Sequence, residues 1–274
     1  MDPAPDQNTV QAAAIRVLNT GNPADKAERA VALSKGWRAG NFQIGPTPNL
    51  DIPDQPARPA QPQLVAPREV KRRRLGSPKG RIALLHAIAH IELNAIDLAA
   101  DMVARFAADA RISNSRRHEF VSDWTGVCAD EARHFTLIEQ RLADLEARYG
   151  DLSAHNGLWE AAIKTRSDLA ARLVVAPMVL EARGLDVTPP MIAKLERLGD
   201  QKSADILKII YEEEIPHVRA GARWFEHICT RENRDGRDYF SSLLSTYFNG
   251  NLKPPFNEKA RTQAQIPPSY YQTV

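Results

Sequence analysis

Between residues 81 and 248 the apolar positions recur at the spacing of a helix face and nowhere alternate as a half-buried strand would. In RIALLHAIAHIELNAIDLAADMVARFA, apolar or small residues fall at 84, 85, 88, 89, 95, 96 and 99, one continuous stripe. HEFVSDWTGVCADEARHFTLIEQRLADLEARYG repeats the pattern through Trp124, Val127, Cys128, Phe135, Ile138 and Leu142, and is expected to stop near Gly150. A third helix, GLWEAAIKTRSDLAARLVVAPMVLEARG, is expected to end at Gly184. A short one should then follow Thr188–Pro190, with threonine as cap and proline in the first turn. QKSADILKIIYEEEIPHVRAGARWFEHIC is the fourth long helix, and DYFSSLLSTYF precedes a proline-containing tail. Four long amphipathic helices predict an all-α fold, a four-helix bundle. The stretch from Tyr149 to about Asn156 is long enough to cross between two helix pairs.

The flanks differ in composition. Residues 1–43 hold two short helical patterns, around QAAAIRVLN and ADKAERAVALSKGW. Residues 44–80 carry prolines at 46, 48, 53, 56, 59, 62, 67 and 78, which forbid a long helix and favour an extended course. Leu64, Val65 and Val70 give this segment something to bury, so an arm packed on the bundle is expected rather than a disordered linker. The expected organisation is N-terminal helices and arm over 1–80, the bundle over 81–248, and an extended tail over 249–274.

Totals narrow the classes further. An apolar fraction of 43% suits a water-soluble globular chain, and a net charge of +2 does not mark an obvious polyanion binder. Only Cys128 and Cys229 occur, which argues against a disulfide scaffold and fits a reducing compartment. MDPAPDQNTV has no apolar signal region, and the longest apolar run, LVVAPMVL, is too short for a bilayer that needs about 20 residues. A cytoplasmic location without membrane attachment is expected.

Some acids share a phase with the apolar stripes. Glu92 follows Leu85, Ile88 and Ala89 at separations of seven, four and three, and so should point inward. Glu131 stands in the same relation to Trp124, Val127 and Cys128, Glu181 to Val174, Pro177 and Met178, and Glu214 to Leu207, Ile210 and Tyr211. His134 and His217 follow Glu131 and Glu214 by three, side by side on a helix surface. Buried carboxylates that converge repel one another, and two divalent cations would cancel four such charges. A glutamate on each of two helices and E-x-x-H on the other two is the donor set of ferritin-like di-iron and di-manganese bundles. One E-x-x-H carries little information; the order of the four, one per long helix, carries more.

Asp130 and Glu213, each four residues before a histidine, are alternative donors, partners that orient an imidazole, or simply solvated neighbours. Pro216 removes its own amide donor and frees the Glu212 carbonyl, which either loosens the helix beside the ligands or kinks it to fit the bundle. Pro177, before Glu181, raises the same alternatives. Tyr211 and Trp124 are core aromatics or, in a redox protein, a relay. His86 and His90 are expected to bond at the helix surface, and Cys128 to fill space in the core.

RRRLGSPKGR, LLHAIAHIELNAIDLA, EARHFTLI, HNGLWE, APMVLEARGLDVTP and KPPFN resemble an uncharacterised ferritin-like family, catalogued as domain of unknown function four-fifty-five. The resemblance spans roughly Arg68 to Asn257 and implies a di-iron centre at Glu92, Glu131, His134, Glu181, Glu214 and His217. This chain has Pro216 where that pattern leads one to expect a small residue. The order of ligands is more distantly similar to that of tRNA-hydroxylating di-iron enzymes, an analogy of fold alone.

The expected function is an oxygen-dependent di-iron oxidase or hydroxylase with two iron ions, O2 as co-substrate, a small-molecule substrate and an unidentified electron donor. A ferroxidase or iron-handling protein, and a bundle that metal merely stabilises, are the alternatives. Manganese uses nearly the same ligands as iron. Lys71–Arg74, with Lys79 and Arg81, could grip the phosphates of a tRNA, but a short charge run is usually solvated, so nucleic acid is the weaker expectation. A homodimer is the default assembly.

Overall fold

Residues 8–45, 50–70, 75–248 and 250–272 are described by the computed structural model of the protein. They are mostly helical and form no strand; isolated bridges join Thr9 to Gln43 and Leu64 to Ala154. The fold is all-α, as the apolar periodicity predicts. The chain divides into two compact units, Met1–Trp159 and Glu160–Val274, so the helices of the 81–248 stretch are shared between them.

In the first unit, side chains that take up free amides start the helices. Thr9 accepts from Ala12 N at the start of α1 (Val10–Leu18), and Asn22 accepts from Ala24 N and Asp25 N ahead of α2 (Pro23–Arg38). Ser77 caps α3 (Pro78–Phe106), whose first residue is a proline with no amide to leave unbonded. The long α4 (Arg117–Asp144) packs along α3, and α1 and α2 cover that pair. Leu85, Leu93, Ile96 and Val103 of α3 meet a core that includes Phe120, Trp124, Phe135 and Ile138 of α4, all buried. Each such side chain contributes ~1.5–3 kcal/mol relative to exposure. By length and composition α3 could cross a bilayer, but its most apolar window is 67% buried inside the protein, as suits a core helix. α4 ends at Asp144 rather than near Gly150, and Glu146 takes a left-handed turn (φ 57°) just beyond.

The proline-rich segment runs against these helices. Ala57 N donates to Leu18 O at 2.8 Å, Val65 N to Ala154 O at 2.8 Å, and Trp159 Nε1 to Asp54 O at 2.9 Å. Arg58 reaches Asp97 at 3.0 Å and Asn94 at 2.7 Å, and Lys26 also pairs with Asp97. The basic run Lys71–Arg74 lies outside the described residues.

The second unit departs from the sequence expectations in several places. The anticipated helix from Gly157 to Gly184 is interrupted: α5 (Gly157–Lys164) stops, and Asp168 caps a new helix, α6 (Leu169–Val175), by accepting from Ala170 N and Ala171 N. Arg172, fully buried, spans the break by donating to Thr165 Oγ1 at 2.8 Å and Ala162 O at 2.7 Å. A π turn (Ala176–Glu181) follows and leads into α7 (Ala182–Arg197). Gly184 ends nothing, because its backbone never enters the left-handed region that closes a helix. No separate helix starts at Thr188; Pro189 and Pro190 lie inside α7. Pro189 has no amide for the Leu185 carbonyl, and Asn257 Nδ2 donates to that carbonyl instead, at 3.1 Å.

Asp200 caps α8 (Gln201–Glu232), which stays helical through Pro216. Pro216 and Glu212 are both exposed, on the outer face of the helix. α9 (Gly236–Tyr247) comes next. The tail is not extended throughout: α10 (Glu258–Gln263) and a 3-10 turn at Pro268–Tyr270 bury Ala260, Tyr270 and Tyr271.

Candidate metal centre

In the first unit three of the expected donors meet. Glu92 comes from α3, and Glu131 and His134 from successive turns of α4; all three are buried. His134 Nδ1 lies 3.2 Å from Glu92 Oε2 and 3.5 Å from Glu131 Oε2. One donor atom from each residue falls within 4.8 Å of the other two. Donors held ~2.1 Å from one ion at ordinary angles stand ~3.0–3.4 Å apart, so this spacing fits a cation among them.

The electrostatics point the same way. Burial, and then the charge of Glu131, raise Glu92 well above the usual carboxylate range. Burial alone would depress His134, but its hydrogen bonds to Glu131 and Glu92 outweigh that and push it to about 11. Two carboxylates on one imidazole thus call for a positive charge, which a proton supplies in the metal-free protein. Iron and manganese both suit this oxygen-rich set with one imidazole.

The second unit carries the other half of the expected set. His217 Nδ1 lies 3.4 Å from Glu214 Oε2 on α8, with the imidazole buried and the carboxylate 13% exposed. Glu181 is the last residue of the π turn and is partly exposed. One turn beyond His217, Gly221 lets α8 approach that turn closely: a Cβ there would stand 2.5 Å from Pro177 Cγ. The Pro177 irregularity and the His217 helix are therefore fitted to each other. π turns recur at functional sites because the extra residue re-aims the side chains that follow.

The alternative donor Asp130 is set aside on α4. Its side chain is 44% exposed and lies 3.5 Å from Arg133. Glu213 is partly exposed beside Glu214. Cys128 is buried, its thiol raised by burial and placed 3.6 Å from Ile96 O, as expected of a packing residue.

Sequence reasoning missed a buried polar row on α3. His86 and His90 are not at the surface. His86 Nε2 accepts from Gly150 N at 3.0 Å and from Leu152 N at 3.4 Å. His90 Nε2 lies 3.0 Å from the His155 carbonyl and 3.2 Å from Asn94 Nδ2, and Nδ1 lies 2.8 Å from Tyr149 Oη. Burial, first of several influences, lowers His90 to about 4. The helical spacing of His86, His90, Asn94 and Asp97, four, four and three residues apart, is the available signal, a polar stripe beside the apolar one. Tyr211 accepts from Asn257 Nδ2 at 3.0 Å, tying α8 to the tail.

A Haemophilus influenzae protein (strain ATCC 51907 / DSM 11121 / KW20 / Rd), described as an uncharacterized protein, is 41% identical over 206 residues, covering 75% of this chain and 72% of its own. No solved structure matches. Residues 19–272 match the family described as protein of unknown function (DUF455), and to that family the chain belongs.

Proposed function

We propose that the protein is an oxygen-dependent di-iron oxidase or hydroxylase of ferritin-like bundle type, acting in the cytoplasm on a small molecule. One iron ion would be held by Glu92, Glu131 and His134, the other by Glu181, Glu214 and His217. The observation that carries this reading is the buried set of two carboxylates on one imidazole, at metal-ligand spacing. A set used only for packing would be costly, because buried acids without a cation repel and shed their charge. Ferrous ions held by such a set would leave positions open to dioxygen, the oxidant, and would supply electrons to it. The chain's own part is to hold the donors. α3 and α4 keep Glu92, Glu131 and His134 out of water, and the Gly221–Pro177 contact fixes the π turn that ends in Glu181.

The test is metal analysis of anaerobically purified protein reloaded with ferrous iron, followed by oxygen uptake. Two irons per chain are expected, with fewer in Glu131→Ala and in His217→Ala. Unchanged stoichiometry in both variants would remove the ligand assignment. Iron oxidation without a reductant-dependent turnover, in an assembly of many subunits, would favour iron handling instead.

A further inference from the structure

The second unit contains a cavity of about 280 Å³ between the π turn and the segment that leads from α9 to α10. At the ~30 Å³ a water occupies in the liquid, that is room for roughly nine non-hydrogen atoms. Val179 and Leu180 of the π turn, with Leu252 and the rings of Phe248 and Phe256, give it apolar walls. Its polar lining is unbalanced in charge: Arg183, Lys253 and Arg261 against the single carboxylate of Asp186.

The three cations are not equivalent. Arg261 is buried and spent. Its Nε and Nη2 donate to the two oxygens of Asp186 at 2.9 and 2.7 Å, and its guanidinium lies 5.0 and 4.7 Å from the ring centres of Phe256 and Tyr271, which also pack on each other. Arg183 is half-open. Its contacts to Lys253 O at 2.7 Å, Pro255 O at 3.3 Å and Asp186 Oδ2 at 3.4 Å all use Nη1. The edge formed by Nε and Nη2 bonds to nothing among the described residues, and the side chain is 41% exposed. Lys253, exposed, makes no ion pair among them. A guanidinium pinned by one nitrogen, with a free two-donor edge, is pre-organised for a bidentate oxyanion.

We propose that this cavity binds a small amphiphile, an oxyanion (carboxylate or phosphate) on a short apolar body. The oxyanion sits on the free edge of Arg183 with Lys253 beside it, and the body lies against Leu252 and the two phenylalanines. Apolar walls with a few convergent polar groups are the usual make-up of a small-molecule site. The inference uses no metal ligand and stands whether or not iron is bound.

The experiment is calorimetric titration of the full chain with hexanoate, hexyl phosphate and hexanol. Hexanoate or hexyl phosphate should bind at least tenfold more tightly than hexanol, and whichever is tighter identifies the headgroup. Arg183→Gln should weaken that binding tenfold or more. Leu252→Trp, which fills the cavity and keeps the guanidinium, should do the same, and it decides the matter if Arg183→Gln unfolds. The proposal is overturned if hexanol binds as well as both anions, or if the folded variants bind within twofold of the natural chain.

Discussion

At the residue scale, burial sorts chemically identical side chains into different roles. Asp130 and Glu131 are neighbours on α4, yet one makes an exposed pair with Arg133 and the other is sealed beside His134. The apolar phase of the helix predicts that difference, since only Glu131 shares the stripe. His86 gives a pH prediction. Burial lowers its pKa, with the nearby Asp151 charge opposing, and its Nε2 must stay unprotonated to accept from Gly150 and Leu152. A histidine depressed in the folded state binds its proton more readily when unfolded. Its contribution is therefore fully present above the unfolded pKa of ~6.5 and is lost as pH falls below that value. The urea midpoint should drop between pH 7 and 5.5, and drop less in His86→Gln, whose amide oxygen can accept but does not titrate. Equal slopes in the two proteins would show that His86 is not responsible.

At the scale of elements, two glycines with the same helical backbone make opposite predictions. A Cβ on Gly184 meets nothing within 4 Å, so Gly184→Ala should stabilise the protein by ~0.5–1 kcal/mol through the unfolded chain's lost freedom. A Cβ on Gly221 would stand 2.5 Å from Pro177, and Gly221→Ala should cost ~1–3 kcal/mol by forcing α8 off the π turn. Denaturant unfolding of both variants checks the pair, and a neutral Gly221→Ala would mean the contact yields easily. The long helices α3, α4 and α8 were legible because each keeps one apolar phase for many turns. The helix expected to end at Gly184 was misread for a definite reason. Its interruption depends on side-chain partners that periodicity does not show: Arg172 bridges the gap before α6 to residues seven and ten positions back, and Asn257, far along the chain, replaces the amide that Pro189 lacks.

At the scale of the whole molecule, each unit ties a peripheral segment to its long helices through a buried charged group. In the first, Asp97 holds Arg58 of the proline-rich segment and Lys26 of α2. In the second, Asp186 holds Arg261, and its Oδ1 accepts from Asn257 N at 2.9 Å. The tail is therefore a part of the second unit's core, and Arg261→Leu should destabilise by ~3–5 kcal/mol because it leaves the Asp186 charge buried without its main partner. The double variant Asp186→Asn, Arg261→Leu should recover much of that loss, as read from denaturation midpoints. A double variant no better than the single one would place the cost in packing instead. By itself the sequence determined the helical class, the phases of the long helices and the donor types on them, because apolar periodicity and side-chain chemistry are local properties. Only the tertiary structure decided how completely each in-phase acid is sealed from water, where the backbone widens to a π turn, and how prolines inside a helix are tolerated. Those depend on burial and on hydrogen-bond partners that lie far away along the chain.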